Sequence, residues 1–310
     1  MPKQHSRRSM AEILCIGDSC ADIIIPYDKK ERVIRCGGAA ANTACALGKL
    51  NVSTSFVGKA GNDLYGKKMK EELDRSNVDT SFFILDEKLS STLIQITIDE
   101  NGERHPILLN ADDPSYLKIY PKDLDTIELT DTKYILTNGM MLFQDPAASS
   151  ILSFLNKAKQ NNIRIVLDIN FRTETIDQDR SIINEVIEIS DILLGSTEDD
   201  YLKPYDCKTI EEVIEKLYKK DRIIVCHDAK GSDVFFNDER YHSDSYTVEV
   251  ADSIGAGDNF NAGFLYGLIH HKTLKECNEL ACAAAAYSLQ KEGARYTPDE
   301  TKLYNLMKRN

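Results

Sequence analysis

The sequence lacks three features that would each define a class of protein: a C-x-x-C pair, a long apolar run, and an excess of positive charge. Because its eight cysteines lie mostly in apolar segments, we expect free thiols in a reducing compartment rather than disulfides or a zinc site. No run approaches the ~18 apolar residues that a transmembrane helix requires, so no membrane partner is predicted. A formal net charge of −12 argues against nucleic-acid binding, since that binding depends on neutralising phosphates.

The chain also lacks a recognisable signal peptide and an internal linker. Residues 1–10 are basic but have no apolar core, so we interpret them as a disordered tail and expect a cytoplasmic protein. No Pro/Gly-rich or low-complexity stretch divides the sequence, and no internal repeat is visible. A hydrophobic content of 42% is typical of a globular protein with a sizeable core. A single domain over residues 1–310 is therefore the simplest prediction.

Apolar and polar residues follow a strand–helix rhythm over most of the chain. Strands are predicted at 12–17, 54–59, 133–137, 163–168, 191–194 and 222–226, and helices at 39–47, 146–160, 177–189, 197–203 and 208–220. Such alternation is typical of a mainly parallel sheet with helices on both faces. Residues 81–110 differ, because apolar and polar residues alternate over 93–98 and Asn101-Gly102 marks a hairpin turn. This pattern predicts an antiparallel flap whose edges need cover from substrate, from the body of the protein or from another subunit.

The stretch Asp252–Asp258 carries the strongest functional signal. It turns from a predicted strand over 246–250, through Gly255 and Gly257, into a predicted helix. Backbone N–H groups at a helix N-terminus are unpaired and the helix dipole favours negative charge, so an anion site is expected here. Asp258 places a carboxylate in the first turn of the same helix. A phosphate and a proton acceptor are therefore predicted to meet at this turn.

Two further candidate stretches, one with two acids and one with two glycines, lie near the start of the chain. Asp18 and Asp22 follow the first predicted strand, where ligands of open α/β sheets gather, although a turn residue and a capping residue would also explain them. Gly37-Gly38 opens a small-residue helix that contains Asn42. Close packing alone would account for the alanines of this helix. The two glycines and the amide favour a ligand.

A third candidate follows the predicted strand 163–168. Asp168 lies at its end and Asn170 and Arg172 lie just beyond, which makes these polar residues candidate site residues. An arginine can bind phosphate or carboxylate through two parallel hydrogen bonds. The alternative is that Arg172 only pairs with a nearby acid such as Glu174.

With these pieces in order, the chain resembles the ribokinase-like (PfkB) family of sugar and nucleoside kinases. The N-terminal signature of that family is similar to Gly37-Gly38 with Asn42, Val57-Gly58, Gly61-Asn62-Asp63 and Gly66. Residues 252–265 are similar to its C-terminal signature, and the resemblance covers most of the chain. It implies a three-layer α/β/α sandwich with a mostly parallel central sheet and a small antiparallel β lid from about 18–36 and 81–110. It also implies transfer of the ATP γ-phosphoryl group to a hydroxyl of a small sugar.

The resemblance implies a role for each matching residue. Asp258 would be the catalytic base, and the anion hole would be formed by the backbone of Gly255, Ala256 and Gly257. The sugar would be held by Asp22, Gly37, Gly38, Asn42, Asn110, Asn170 and Arg172. The nucleotide would lie against Ser196, Cys226 and Gly231. ATP would bring Mg²⁺, for which the candidate ligands are Asp199 and Glu198. A monovalent cation such as K⁺ would lie among Asp252, Ser253, Ser288, Gly293 and Thr297.

The chain departs from the family pattern at three positions. Ser196 to Asp199 stand where many members have Asn-x-x-Glu, and Asp228 stands where a glycine usually follows the nucleotide-side strand. Ala39 replaces a lysine that follows Gly-Gly in ribokinase, which counts against ribose. Residues 168–172 and 102–104 are more similar to fructokinases and 2-keto-3-deoxygluconate kinases. A hexose or a keto-sugar acid is therefore the expected acceptor.

Two other functions stay open at this point. A nucleoside kinase of the adenosine kinase type would share the fold, because substrate choice lies in the lid. A sugar-binding protein that has lost efficient chemistry would account for the departures at Ser196 and Asp228. If two lid edges pair with each other, the protein is a homodimer.

Overall fold

The computed structural model describes residues 11–27, 32–100, 104–109, 113–171 and 179–308. The strands in these ranges are β1 (Ile13–Ile16), β2 (Cys20–Ile25), β3 (Val33–Gly37), β4 (Thr54–Gly61), β5 (Val78–Asp79), β6 (Phe83–Asp86), β7 (Leu93–Ile98), β8 (Arg104–Leu108), β9 (Tyr134–Asn138), β10 (Arg164–Asp168), β11 (Ile192–Ser196), β12 (Ile223–Asp228), β13 (Gly231–Phe236) and β14 (Glu239–Asp244). The α-helices are α1 (Ala39–Lys49), α2 (Leu64–Arg75), α3 (Pro121–Leu124), α4 (Ala147–Gln160), α5 (Ser181–Ile189), α6 (Lys203–Tyr205), α7 (Ile210–Leu217), α8 (Ala256–Ile269), α9 (Leu274–Ser288) and α10 (Glu300–Met307).

The central sheet has ten strands in the order β14-β13-β12-β11-β10-β9-β1-β4-β5, with β6 also paired to β4. The pairings from β12 to β5 are parallel, and only β13 and β14 add antiparallel partners at one edge. Side chains alternate between the faces of a strand, so Ile13 and Cys15 join one buried cluster while Leu14 and Ile16 join the other. Helices α1, α2, α8, α9 and α10 cover the first face, and α4, α5 and α7 cover the second. The predicted three-layer fold is confirmed.

A second sheet of four strands, in the order β3-β2-β7-β8, forms the lid. It consists of two antiparallel pairs, β2 with β3 and β7 with β8, joined where β2 and β7 run parallel. The lid was expected to include all of 81–110, and for β6 this is wrong. Phe83–Asp86 pairs with β4, with Gly58 opposite Phe83, because β6 runs parallel to the central sheet before the chain crosses into the lid.

The predicted strand over 246–250 is also absent. Strand β14 already completes the edge of the central sheet, and residues 245–250 follow it without a ladder of their own. The Ser245 N–H donates to the Lys230 carbonyl at 2.9 Å, and the Ala251 N–H donates to the Leu289 carbonyl at 2.7 Å. These two bonds lead the chain from the sheet edge to the start of α8. The functional turn therefore follows an extended segment that is hydrogen-bonded to the end of α9, and it does not follow a strand.

Capping side chains define where several helices begin. Asp63, which the family signature includes, accepts the Tyr65 and Gly66 N–H groups at 2.9 Å and so begins α2. Its other oxygen accepts the Ser91 N–H at 2.8 Å, which ties the loop before β7 to the same turn. The signature residue Asp63 therefore has a structural role.

Among the described residues, no helix is long and apolar enough to cross a membrane. All eight cysteines are free, as predicted.

Candidate active site

A cavity of about 730 Å³ lies where the C-terminal ends of the parallel strands face the lid. Its walls include Ile94 and Ile96 from the lid, and Asp168 from the end of β10. Asp200 and His227 reach it from just beyond β11 and at the end of β12. Parallel α/β sheets bind ligands at this edge, because the strand ends there point into one crevice. This cavity is the candidate active site.

The N-terminus of α8 forms one wall of the cavity. Gly255 caps the helix with φ +79°, and Gly255, Ala256, Gly257 and Asp258 all line the cavity. A Cβ on Gly255 would lie 2.5 Å from the Ala294 Cα, so only glycine fits this turn. No side chain caps the helix, although the Ala256 N–H donates to the Ser253 carbonyl at 3.3 Å, and the positive end of the helix dipole lies at the cavity wall. The predicted turn into a helix is present.

Asp258 is held in this wall by α1. The Asn42 Nδ2 donates to Asp258 Oδ2 at 2.8 Å, and the Thr43 hydroxyl donates to the Asp258 carbonyl at 3.3 Å. Alanine residues at 40, 41 and 44 of α1 are buried, and these small side chains let α1 approach α8 closely. Asn42 is 5% exposed and still lines the cavity. The structure therefore brings together one residue from each of the two family signatures, Asn42 and Asp258.

The sequence left open whether Asp18 and Asp22 cap a helix or contact a ligand, and the structure gives each residue a different role. Asp18 accepts the Ala39 and Ala40 N–H groups at 3.0 and 3.1 Å, so it caps α1 from a distance. It also accepts from the Asn138 side chain at 2.6 Å. Asp22 lies in β2, where burial raises the pKa of its carboxyl and the Cys20 thiol donates to it at 3.6 Å. Asp22 caps no helix and lines the cavity, which favours a ligand role.

Gly37 and Gly38 leave space that larger residues would fill. A Cβ on Gly37 would lie 2.9 Å from Asp22 Oδ2, and one on Gly38 would lie 2.4 Å from the Asp18 carbonyl oxygen. Gly38 has φ +100°, a conformation that other residues rarely adopt. Both glycines line the cavity. The two glycines allow close packing and also keep the cavity wall open. Close packing and a ligand, the two interpretations of this stretch, are therefore compatible.

Two further carboxylates lie on the sheet side of the cavity. Burial, and then the negative charges of Asp200 and Asp258, raise the pKa of Asp168 well above its usual range. Asp200 accepts the Ser196 and Phe171 N–H groups, each at 2.7 Å, and the Ser196 hydroxyl at 2.8 Å. These bonds shape the segment Thr197–Leu202, predicted as an α-helix, into a π-helical turn.

His227 lines the cavity beside the N-terminus of α8. Its ring packs on Phe260 with centroids 4.7 Å apart, and its Cε1 would be 3.7 Å from a Cβ on Gly257. Burial lowers the pKa of the imidazole to about 4, and Asp228 opposes this only in part. His227 is therefore neutral at neutral pH while the cavity holds no anion. An approaching triphosphate would favour the protonated ring.

The five residues predicted to contact the nucleotide or magnesium do not line the cavity: Ser196, Glu198, Asp199, Cys226 and Gly231. The Cys226 thiol contacts the Asp233 carbonyl oxygen at 3.8 Å, and Gly231, with φ +148°, forms the turn against Ser243. Glu198 and Asp199 are 64% and 67% exposed, and both approach Lys203. This geometry does not support a nucleotide contact for Cys226 and Gly231. It does not support a metal contact for Glu198 and Asp199 either. Asn110 and Arg172 lie outside the described residues.

Among the predicted cation residues, Asp252 and Gly293 are joined by a hydrogen bond. Asp252 accepts the Gly293 N–H at 2.9 Å and the Ile254 N–H at 3.1 Å, and Ser253 lines the cavity. The Ser288 hydroxyl donates to the Ala285 carbonyl at 2.7 Å. The Thr297 hydroxyl is buried without a hydrogen-bond partner in the described structure. A buried hydroxyl oxygen without a partner is the kind of atom that a bound cation would satisfy.

Asp168 and Asn170 line the cavity as predicted, whereas three other residues went unpredicted. Asn170 lines the cavity with φ +41°, an uncommon backbone conformation that is often found at functional sites. The unpredicted residues are Asp200, His227 and Arg295. Asp200 and His227 lie at or just beyond strand ends, and that signal alone could have identified them. Arg295 gives no local signal, because its partner Asn42 is 253 positions away.

This fold and site define a ribokinase-like kinase. A fructokinase from Vibrio cholerae O395, solved with fructose, ADP and calcium, superposes with a TM-score of 0.84 at 23% identity, covering 96% of this chain and 99% of that one. An uncharacterized sugar kinase from Pyrococcus horikoshii in complex with ATP gives a TM-score of 0.80 at 25% identity, covering 95% and 99%.

Residues 10–302 match the pfkB family carbohydrate kinases, and the chain belongs to this family. It is 26% identical over 297 residues to a 5-dehydro-2-deoxygluconokinase from Halalkalibacterium halodurans, a match that covers 91% of this chain and 90% of the relative. The chain is therefore a carbohydrate kinase, a phosphotransferase with an alcohol acceptor, and the predicted family and enzyme class are confirmed.

Proposed function

We propose that this kinase phosphorylates a keto-sugar acid or a hexose, with Asp258 as the catalytic base. The observation that carries the proposal is the position of Asp258 in the first turn of α8, inside the cavity and bonded to Asn42 at 2.8 Å. One helix turn thus offers backbone donors to a phosphoryl group and a carboxylate to an acceptor hydroxyl.

In the proposed reaction, the acceptor hydroxyl loses its proton to the Asp258 carboxylate. Its oxygen forms a bond to the ATP γ-phosphorus, and the bond from that phosphorus to the β,γ-bridging oxygen breaks, so ADP leaves. The N–H groups around Gly255, Ala256 and Gly257 stabilise the negative charge on the transferred group. Asp22, Gly38 and Asn170 line the acceptor end and orient the sugar hydroxyls.

The choice of acceptor rests on two observations that oppose each other. Relatives from several bacilli carry the name 5-dehydro-2-deoxygluconokinase at 24–26% identity, which favours a keto-sugar acid. Five carboxylates line the cavity, and no lysine or arginine does so among the described residues. An anionic sugar would need a cation there, since like charges repel strongly in a partly buried site. Arg172, predicted from the sequence, is the residue that we propose for this contact.

The proposal includes two metal ions, a magnesium ion that ATP brings and a monovalent cation that the protein holds. Magnesium would arrive bound to ATP and neutralise its phosphates. The predicted ligands Asp199 and Glu198 do not fit a protein-held magnesium site, because their side chains lie at the surface with Lys203. A monovalent cation fits better, because the Thr297 hydroxyl is buried without a partner. Asp252, Ser253 and Thr297 would hold K⁺, whose charge would support the turn that begins α8.

We also propose a homodimer that forms through the lid, in the cytoplasm. Val33 on the edge strand β3 is 40% exposed, and Ile107 on the opposite edge strand β8 is 55% exposed. A second lid would cover these apolar side chains and pair the open edges. Eight free cysteines suit a reducing compartment. A sizing column that shows only monomer at micromolar concentration would contradict the dimer.

The test is a phosphorylation assay of the purified protein with Mg-ATP. The acceptor panel should contain 5-dehydro-2-deoxygluconate, 2-keto-3-deoxygluconate, fructose, ribose and adenosine, with ADP release and product mass as readouts. We expect turnover of a keto-sugar acid or a hexose. Asp258→Asn keeps an acceptor for the Asn42 amide and should lower kcat by about 10²- to 10⁴-fold. Asp244→Asn, at an exposed carboxylate, is the matched control and should keep full activity.

Three results would each overturn a part of the proposal. Turnover of adenosine alone would make the protein a nucleoside kinase. Thermal stabilisation by a sugar without any turnover would make it a sugar-binding protein. Equal activity in Asp258→Asn and in the parent protein would remove Asp258 from its assigned role.

A further inference from the structure

Arg295 lies behind the proposed catalytic base, between α1, α2 and β3. Its Nε donates to Asn42 Oδ1 at 3.0 Å, and its two terminal nitrogens donate to Glu72 Oε2 at 3.0 Å and to the Gly37 carbonyl oxygen at 3.3 Å. Only 12% of its side chain is exposed, and it does not line the cavity. Its own carbonyl accepts from the Lys49 ammonium at 2.5 Å, which anchors the backbone as well. The guanidinium is thus fixed on all sides.

The chemistry of the guanidinium determines how the Asn42 amide is oriented. A guanidinium can only donate hydrogen bonds, so the amide atom that faces it must be the oxygen. The amide nitrogen then points the opposite way, to Asp258 Oδ2 at 2.8 Å. If the amide were rotated by 180°, its nitrogen would face a donor and its oxygen would face a carboxylate. Arg295 therefore excludes the orientation that would repel the base.

We infer that Arg295 is a positioning residue, which holds Asn42 so that Asn42 holds the carboxylate of Asp258 toward the acceptor. This inference rests on the proposed function of Asp258. The chain Arg295–Asn42–Asp258 joins the loop after α9 to α1 and then to α8. Arg295 touches neither the sugar nor the phosphate side of the cavity, so its effect on the reaction passes through Asn42.

A purely structural role predicts something different. Arg295 also pairs with Glu72, and a structural arginine would stabilise the α1–α2 packing through that pair and nothing else. Loss of the side chain would then lower stability and the amount of folded enzyme, while each folded molecule would keep its kcat. A positioning role predicts a loss of kcat in the folded enzyme, because a misplaced catalytic group can cost about 100-fold in rate.

The experiment is a double-mutant cycle between Arg295→Met and Asn42→Ala, measured as kcat on folded protein. Methionine keeps length and apolar contact but donates no hydrogen bond. We expect Arg295→Met to lower kcat about 10- to 100-fold with little change in KM for ATP. In the Asn42→Ala background the same change should cost less than about 2-fold, because two residues that act in series are not additive. Additive losses would overturn the inference.

Glu72→Gln is the matched control. It removes the ion pair of Arg295 and leaves the bond from Nε to Asn42 in place, so kcat should stay within about 3-fold of the parent. If Glu72→Gln and Arg295→Met lower kcat equally, Arg295 acts through α2 and the inference is wrong. If Arg295→Met shows no cooperative unfolding transition, Arg295→Lys enters the same cycle, since lysine keeps the charge but not the planar set of donors.

A second readout separates position from stability. An amide that donates to the charged carboxylate favours its ionised form, so the acid limb of the pH–rate profile should move to higher pH in Arg295→Met. The profile of Glu72→Gln should match the parent. An unchanged limb in Arg295→Met would contradict the inference.

If the parent enzyme turns over no acceptor, the proposed function fails. If the parent turns over and the cycle is additive, only the role of Arg295 fails.

Discussion

Gly255 and Ala294 lie against each other so closely that no side chain fits between them. A Cβ on Gly255 would lie 2.5 Å from the Ala294 Cα and 2.6 Å from its carbonyl oxygen. Asn259 fastens the same contact, since its Nδ2 donates to the carbonyl oxygens of Gly255 and Ala294 at 2.8 and 3.1 Å. The C-terminal loop is therefore part of the turn that begins α8.

Substitution of the two glycines of this turn should give two different defects. Gly255→Ala needs a backbone with φ +79° and pushes against backbone atoms, so it should lower the free energy of unfolding by at least about 2 kcal/mol. Gly257→Ala meets only His227 at 3.7 Å, an ordinary contact, and should leave stability almost unchanged. Its methyl group would face the phosphate side and raise KM for ATP. Denaturant unfolding and steady-state kinetics on both variants check this, and equal stability losses would contradict it.

His227 should make the stability of the protein depend on acid. Its pKa is about 4 in the folded protein and about 6.5 when unfolded, so the unfolded state binds the proton first as pH falls. The stability gained from a neutral His227 is present above pH ~6.5 and is lost as pH falls toward 4, by at most about 3 kcal/mol. In His227→Gln this part of the loss should disappear. Thermal unfolding of both proteins between pH 4 and 7 measures the difference.

His242 provides a control of opposite sign. Its ring bonds to Asp233 and Asp244 raise its pKa, so its contribution is present at low pH and is lost as pH rises. His242→Gln should therefore steepen the loss of stability toward acid. Parallel pH curves for the parent and His227→Gln would show that His227 titrates normally.

Arg172 should discriminate between an acidic and a neutral acceptor. Arg172→Gln should raise KM for a keto-sugar acid by about 10- to 100-fold, because a buried charge-assisted hydrogen bond contributes about 1.5–3 kcal/mol. KM for fructose should change by less than about 3-fold. Arg35→Gln, which removes a partly exposed arginine paired with Glu292, is the control. Equal losses for both acceptors would assign Arg172 a role other than reading the carboxylate.

The Thr297 hydroxyl should couple potassium to activity. Thr297→Val removes a buried oxygen that has no partner, so it should raise the melting temperature in potassium-free buffer. It should also abolish the rate difference between K⁺ and Na⁺ that we expect of the parent enzyme. Thr137 also has a buried hydroxyl without a partner in the described structure, but lies in β9. Thr137→Val should therefore raise stability and keep the response to potassium. Loss of that response in both variants would argue against a site at Thr297.

The sequence predicts those parts of the molecule that local pattern controls. Strand–helix alternation is a local property, and the six strands predicted from it all lie in the central sheet, as β1, β4, β9, β10, β11 and β12. The short strand β5 and the edge strands β13 and β14 were not predicted. The turn at Asp252–Asp258 was recognisable because glycines and an acid at a helix start have a local meaning. The strand expected over 246–250 was wrong, because whether an extended segment joins a sheet depends on whether an edge is available. Strand β14 had already taken that edge.

The site was predictable only in part, for a similar reason. Asp22 and Asn170 were found from their place after strands, and both line the cavity. Asp200 was missed in favour of its neighbour Asp199, since sequence spacing cannot tell which side of a turn faces inward. Here the π-helical turn points Asp200 to the Ser196 N–H and leaves Asp199 at the surface with Lys203. Arg295 had no local signal at all.

The bond between Arg295 and Asn42 joins residues 253 positions apart and has a consequence for the newly made protein. The ribosome releases the sheet strands well before the loop after α9, so a nascent chain can build most of its core with the active site still incomplete. Asp258 meets its amide partner only when α8 has emerged, and Arg295 follows later still. A chain that stops short of residue 295 would therefore hold much of the architecture but leave Asn42, and through it Asp258, without the positioning partner. Such truncated products should consume ATP more slowly than a chain that includes Arg295.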